Sequence, residues 1–139
     1  MHQYTKNPLP PSLADRIGIA LSSICAFHCL ILPTLLPLLG TLAHYFESDW
    51  THTLLAALII PTVGLTAWRG YKHHGKWEVL WLLVIGALAI LCALLLQQYG
   101  ISKPTETAIT TLGSAFLITG HWKNYKHCSL CAAGKPHTH

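Results

Sequence analysis

The strongest constraint on this chain is where its charges are not. Four apolar runs, approximately Leu13 to Leu39, Trp50 to Trp68, Trp77 to Gln97 and Thr105 to Gly120, have no Asp, Glu, Lys or Arg beyond their first turns. About 20 such residues cross the roughly 30 Å hydrocarbon core of a bilayer as a helix. In lipid the backbone must satisfy its own hydrogen bonds, so runs of this length fold as helices. With 52% apolar and only 10% charged residues, the 139-residue chain has the balance of a membrane protein. The predicted fold class is an all-α membrane protein, a four-helix transmembrane bundle whose short loops make neighbouring helices antiparallel. Residues 1–122 read as the four-span transmembrane domain and 123–139 as a polar, flexible, Cys/His-rich cytoplasmic tail.

The basic residues set the orientation. Lys6 precedes the first run and Arg16 stands in its first turn, Arg69, Lys72 and Lys76 separate the second from the third, and Lys123, Lys126 and Lys135 follow the fourth; Lys103 alone falls on the other side. A bias of eight to one places both termini in the cytoplasm. Tyr45, Trp50 and Tyr99 then form an outer aromatic belt, and Trp68, Tyr71, Trp77, Trp81, Trp122 and Tyr125 an inner one. The net charge of +4 is thus a topology signal, with no indication of nucleic acid. The first run is too long and lacks the small-residue cleavage pattern of a secretory signal, so it reads as a retained helix. A multi-pass protein of a bacterial inner membrane, in contact with lipid, is expected.

Chemistry concentrates in the first helix, in the stretch "CAFHCLILP". At about 100° per residue, Gly18, Ser22, Cys25, Ala26, Cys29 and Pro33 share one face with Asp15. A stripe of small residues faces neighbouring helices, which turns both thiols into the bundle. His28 projects from the edge of the stripe beside Cys25. Residues at i and i+4 have Cβ atoms about 5–6 Å apart, and two sulfurs about 4.6 Å apart suffice for linear coordination at about 2.3 Å each. Packing alone accounts for many buried cysteines, but an imidazole within the membrane tends to mark function. Thiolate and imidazole suit soft or borderline ions; Mg²⁺ and Ca²⁺ prefer oxygen. Pro33, Pro37 and Pro61 should each kink their helix and free a carbonyl.

Further candidate ligands lie at both ends. His44, Glu47, Asp49 and His52 cluster outside, where they either collect a cation or form an ordinary solvated loop with Asp49 or Thr51 capping a helix; His52 stands at the start of a span and can face the bundle mouth. Inside lie His121 and the tail "HCSLCAAGKPHTH", whose Cys128 and Cys131 have Cys-x-x-Cys spacing. Cys92 reads as packing. In order, these groups make a relay: an outer mouth, a thiol and imidazole station within the membrane, and a cytoplasmic Cys/His acceptor. No nucleotide-binding motif is present, and no enzymatic activity is expected.

The segments "DRIGIALSSICAFHCLILPTLLPLL", Trp50 to His52, "RGYKHHGKW" and "GHWKNYKHC" together resemble the MerC family of bacterial inner-membrane mercuric-ion transport proteins, over nearly the whole of Asp15 to Cys131. The resemblance implies four membrane helices, a first-helix cysteine pair that accepts Hg²⁺, here Cys25 with Cys29, and a second cytoplasmic pair, here Cys128 with Cys131. The chain departs from the mercury transporters' Cys-x-x-Cys by placing three residues, His28 among them, between the thiols, as in many members of the wider family. Added imidazole suits Zn²⁺ at least as well as Hg²⁺.

The leading expectation is an uptake transporter for a soft or borderline divalent metal, with Asp15, Cys25, His28, Cys29, His52, His121, Cys128 and Cys131 as candidate metal residues. The ion is transported or bound, not a permanent cofactor, and a cytosolic thiol acceptor is the expected recipient. A membrane metal sensor or chaperone would use the same residues without flux. A haem protein needs two His at matched depth on different helices, and only His28 lies mid-membrane. A thiol oxidoreductase is disfavoured, because an i, i+4 cysteine pair makes a poor disulfide without backbone movement. The Gly18-Ser22-Ala26 stripe would serve either a homodimer or internal packing.

Overall fold

A computed structural model describes residues 12–31, Leu35, Leu38 and residues 49–132. Among the described residues four helices follow in order: α1, Ser12–Leu30; α2, Asp49–His74; α3, Trp77–Gln98; and α4, Lys103–Ala132. Asp15 in the first turn of α1 and Glu106 in that of α4 complement the helix dipoles. Gly75 ends α2 with φ 61° and donates its N–H to the Tyr71 carbonyl at 3.0 Å; Gly100, at φ 74°, donates to Gln97 at 3.1 Å. Both take up the left-handed conformation in which glycine is free of Cβ strain. The two turns are short, so α2, α3 and α4 run alternately up and down.

Helix α4 packs against each of the other three, and α2 against α1, α3 and α4, leaving α1 and α3 at opposite corners. The α3–α4 contact is close because glycines line it. A Cβ on Gly86 would come within 2.8 Å of the Leu117 side chain and 2.9 Å of the Gly113 carbonyl, and one on Gly120 within 2.9 Å of Leu83. Small residues allow backbones in a membrane to approach in this way.

The distribution of polarity is inverted relative to a water-soluble domain. Ile24, Phe27, Leu58, Leu65, Ile85, Leu88, Leu95, Leu112 and Phe116 are exposed, whereas Asp15, Ser22, Thr66, Glu106, Thr110, Ser114, His121 and Asn124 are buried. An apolar exterior around a partly polar interior is what a hydrocarbon solvent selects. Among the described residues, three stretches are long and apolar enough to cross a membrane: Leu13–Leu30, Thr53–Lys72 and Trp77–Gln98. Helix α4 has 30 residues, about 45 Å at 1.5 Å per residue, but is less apolar. Its polar residues are the ones buried against its neighbours.

Several expectations meet the structure here. The first helix is described to Leu30, so the kinks at Pro33 and Pro37 lie outside the described residues, as do residues 1–11, the loop with His44 and Glu47, and residues 133–139. Helix α2 continues through Pro61, and the Thr62 hydroxyl donates to the Ile59 carbonyl at 2.7 Å, supplying a local partner near the proline. After Trp122 the expected flexible tail is instead helix as far as Ala132. Asn124 and Cys128 explain this: both are buried on the face that α4 already presents to the bundle. Cys92 is exposed on α3 rather than packed in the core. At the Asp15 end, Lys72 lies over the Trp68 ring at 4.5 Å, Lys126 over Trp122 at 5.9 Å and Arg16 over Tyr125 at 6.0 Å. The basic and aromatic residues expected at the inner interface do share one end of the bundle.

Candidate metal centre

The site is built along the seam between α1 and α4. Asp15, Gly18, Ser22, Cys25 and Cys29 recur at alternating steps of three and four, one narrow stripe of α1. All are buried, with Cys25 and Cys29 each 3% exposed. On α4, Glu106, Thr110, Ser114, Leu117, His121, Asn124 and Cys128 are likewise buried and fall on one face at about 100° per residue. The pairings are antiparallel. Glu106 and Thr110 stand near Cys29, Ser114 faces Cys25, and His121 with Asn124 meets Asp15.

The thiols of Cys25 and Cys29 are close polar neighbours on adjacent turns, unlinked, within the hydrophobic core formed with Ala56, Ile59 and Val63 of α2. Such a pair offers two soft ligands from one rigid helix. Thr110, whose hydroxyl donates to the Glu106 carbonyl at 2.9 Å, lies against Cys29.

At the other end of the seam, Asn124 Nδ2 donates to both carboxylate oxygens of Asp15, at 3.1 and 2.9 Å, and His121 Nδ1 lies 3.4 Å from Asp15 Oδ1. Asp15 is 1% and His121 0% exposed, so both are removed from solvent. Room for the imidazole comes from Gly18: a Cβ there would meet ring atoms of His121 at 2.3–2.6 Å. With the amide of Asn124 and one ring nitrogen of His121 both on the Asp15 carboxylate, the cluster fixes α1 against α4 in a single register.

The candidate residues therefore separate into groups. Cys25 and Cys29 are brought together, and so are Asp15 and His121, although they are far apart in the chain. His28 is partly buried and does not complete a cluster with the thiols; among the described residues no three His, Cys, Asp or Glu side chains converge on a point. Cys128 is buried at the far end of the α4 stripe, and Cys131 is on the same helix one turn later. The side chains of Cys131 and His52 lie outside the described residues. Glu106, read from sequence as a favourable first-turn charge, is 4% exposed and held by Lys103 Nζ at 3.3 Å, yet stands on the seam near Cys29. Its spacing of four from Thr110 and eight from Ser114 was the available signal, a polar stripe at helical period.

A family model described as MerC mercury resistance protein matches residues 15–126. That span begins at Asp15 and takes in both ends of the seam. No curated protein and no solved structure gives a significant match.

Proposed function

We propose, on the premise that this chain belongs to the MerC mercury resistance family, that it carries a soft or borderline divalent metal ion across the bacterial inner membrane into the cytoplasm. The observation that carries the reading is the pair of buried thiols, Cys25 and Cys29, inside a membrane-spanning helix and facing the most polar helix of the bundle. A polar helix at the heart of an apolar bundle is costly in lipid and is retained where it serves a path. In this reading α4 is the fourth span, made polar because its neighbours, not lipid, surround its seam. Both termini are cytoplasmic.

The ion enters at the Lys103 end, where Glu106 supplies a carboxylate, and then passes to Cys29 and Cys25 as two protons leave the thiols. Ligand substitution between adjacent thiolates moves the ion without releasing it to hydrocarbon. Cys128 and Cys131 lie at the cytoplasmic end and pass it to a cytosolic thiol acceptor. Mercuric ion follows from the family, and zinc is the borderline candidate that the nearby His28 favours.

Proteoliposomes containing a chelator test this directly. Hg²⁺ and Zn²⁺, offered separately, should enter vesicles carrying the wild-type protein and not those carrying the Cys25→Ser, Cys29→Ser double variant. Wild-type protein that binds metal yet shows no flux would replace a transporter with a membrane sensor or chaperone.

A further inference from the structure

Between the thiols and Asp15, one part of the seam has no role in metal binding by Cys25 and Cys29. Two buried polar atoms there make no hydrogen bond among the described residues: Ser22 Oγ and His121 Nε2. Both residues are 0% exposed. Buried polar atoms are almost always paired, and in a bilayer no solvent relieves those that are not, so a pair of orphans marks a place for water or a ligand. They lie on neighbouring turns of the seam. Ser114 faces Cys25, Ser22 is one turn from Cys25 along α1, and one further turn brings Gly18, over which the His121 ring lies.

His121 is also presented in a particular way. Its Nδ1 is directed to Asp15 Oδ1, and Asn124 holds both oxygens of that carboxylate in place. A carboxylate behind Nδ1 fixes the proton there, orients the ring and leaves the Nε2 lone pair as a ligand; this is how metal-binding imidazoles are commonly supported. Asp15 thus holds Asn124 through both oxygens and stands against Nδ1, while Nε2, the other ring nitrogen, makes no hydrogen bond among the described residues.

We propose that His121 Nε2, with the Ser22 hydroxyl one turn along α1 from the glycine under the ring and Asp15 as the group that orients the ring, forms a second metal station for a borderline divalent cation such as Zn²⁺. Nitrogen and oxygen donors bind such an ion more readily than they draw a soft one from thiolates. The station's role as successor to Cys25 rests on the transport reading, but its ability to bind metal does not. It also gives the route a selectivity step: Zn²⁺ flux depends on His121 more steeply than Hg²⁺ flux.

Ring-¹⁵N-histidine NMR of the full-length protein in nanodiscs tests it, with the His121→Gln variant assigning the His121 resonances. Addition of ZnCl2 should move the His121 Nε2 signal from a free to a metal-bound position, in wild type and equally in the Cys25→Ser, Cys29→Ser variant. Asp15→Asn and Ser22→Ala should each weaken that response, the former by about 10–100-fold, as loss of the supporting carboxylate does in metal sites. A His121 Nε2 signal unmoved by Zn²⁺ in folded protein overturns the proposal, as does a response that Asp15→Asn and Ser22→Ala both leave unchanged. Absence of Zn²⁺ and Hg²⁺ uptake by wild type would instead remove the transport reading while leaving the station in place.

Discussion

Gly18 has no side chain because the imidazole of His121 occupies the space a side chain would fill. Gly18→Ala should therefore displace the ring from Asp15, lowering stability by about 1–3 kcal/mol, the usual range for overpacking, as read from unfolding of the purified protein in SDS. Asp15→Ala acts through a different loss. It strips Asn124 and His121 of their shared acceptor within the buried seam, at a cost of about 1–3 kcal/mol for the polar groups left unpaired; the same unfolding assay should show Asp15→Asn to be milder than Asp15→Ala. The face shared by Asp15, Cys25 and Cys29 was legible in the sequence, since spacing along one helix fixes it. Their partners were not, because Ser114, Thr110 and His121 lie on a helix whose rotation depends on packing.

At the scale of the element, α4 is the helix that hydropathy describes least well. It is long but too polar to qualify as a span by composition, and the reason is its position: it touches all three other helices and hides its polar stripe from lipid. If it crosses the bilayer, Lys103→Cys and Lys126→Cys, each in a cysteine-free background, should react with an impermeant maleimide from opposite sides of oriented vesicles. Labelling of both from one side would place α4 on the membrane rather than through it. Glu106→Gln keeps the shape of the side chain and removes its charge from the Lys103 end of the seam. Zn²⁺ uptake by that variant should half-saturate at a higher concentration while the maximal rate changes less; equal saturation curves for variant and wild type would remove Glu106 from the route. The α3–α4 interface is equally specific. Gly113 has the Ala89 Cβ and the Gly86 carbonyl each 3.1 Å from where its Cβ would be, so Gly113→Leu should force the helices apart and lower resistance to unfolding in SDS more than Gly64→Leu, at a position with open space.

For the molecule as a whole, membrane character, helix number and approximate helix positions were available from sequence, because lipid solvation imposes them residue by residue: apolar length, flanking charge and interfacial aromatics each act locally. The family, too, could be read from short segments. The end of the fourth helix was misread, since a polar stretch after Trp122 looks like solvated tail until Asn124 is seen on Asp15 and Cys128 is seen buried. The candidate site was legible by parts: the thiol pair sits within one turn of one helix, where periodicity alone brings its members together. What only the tertiary structure decided is the joining of Asp15 to His121 and Asn124, and the alignment of Glu106, Thr110 and Ser114 with the thiols. Those are contacts between helices remote in the chain, selected by which small residues allow two backbones to approach and which buried polar atoms can satisfy one another, and no local pattern contains that information.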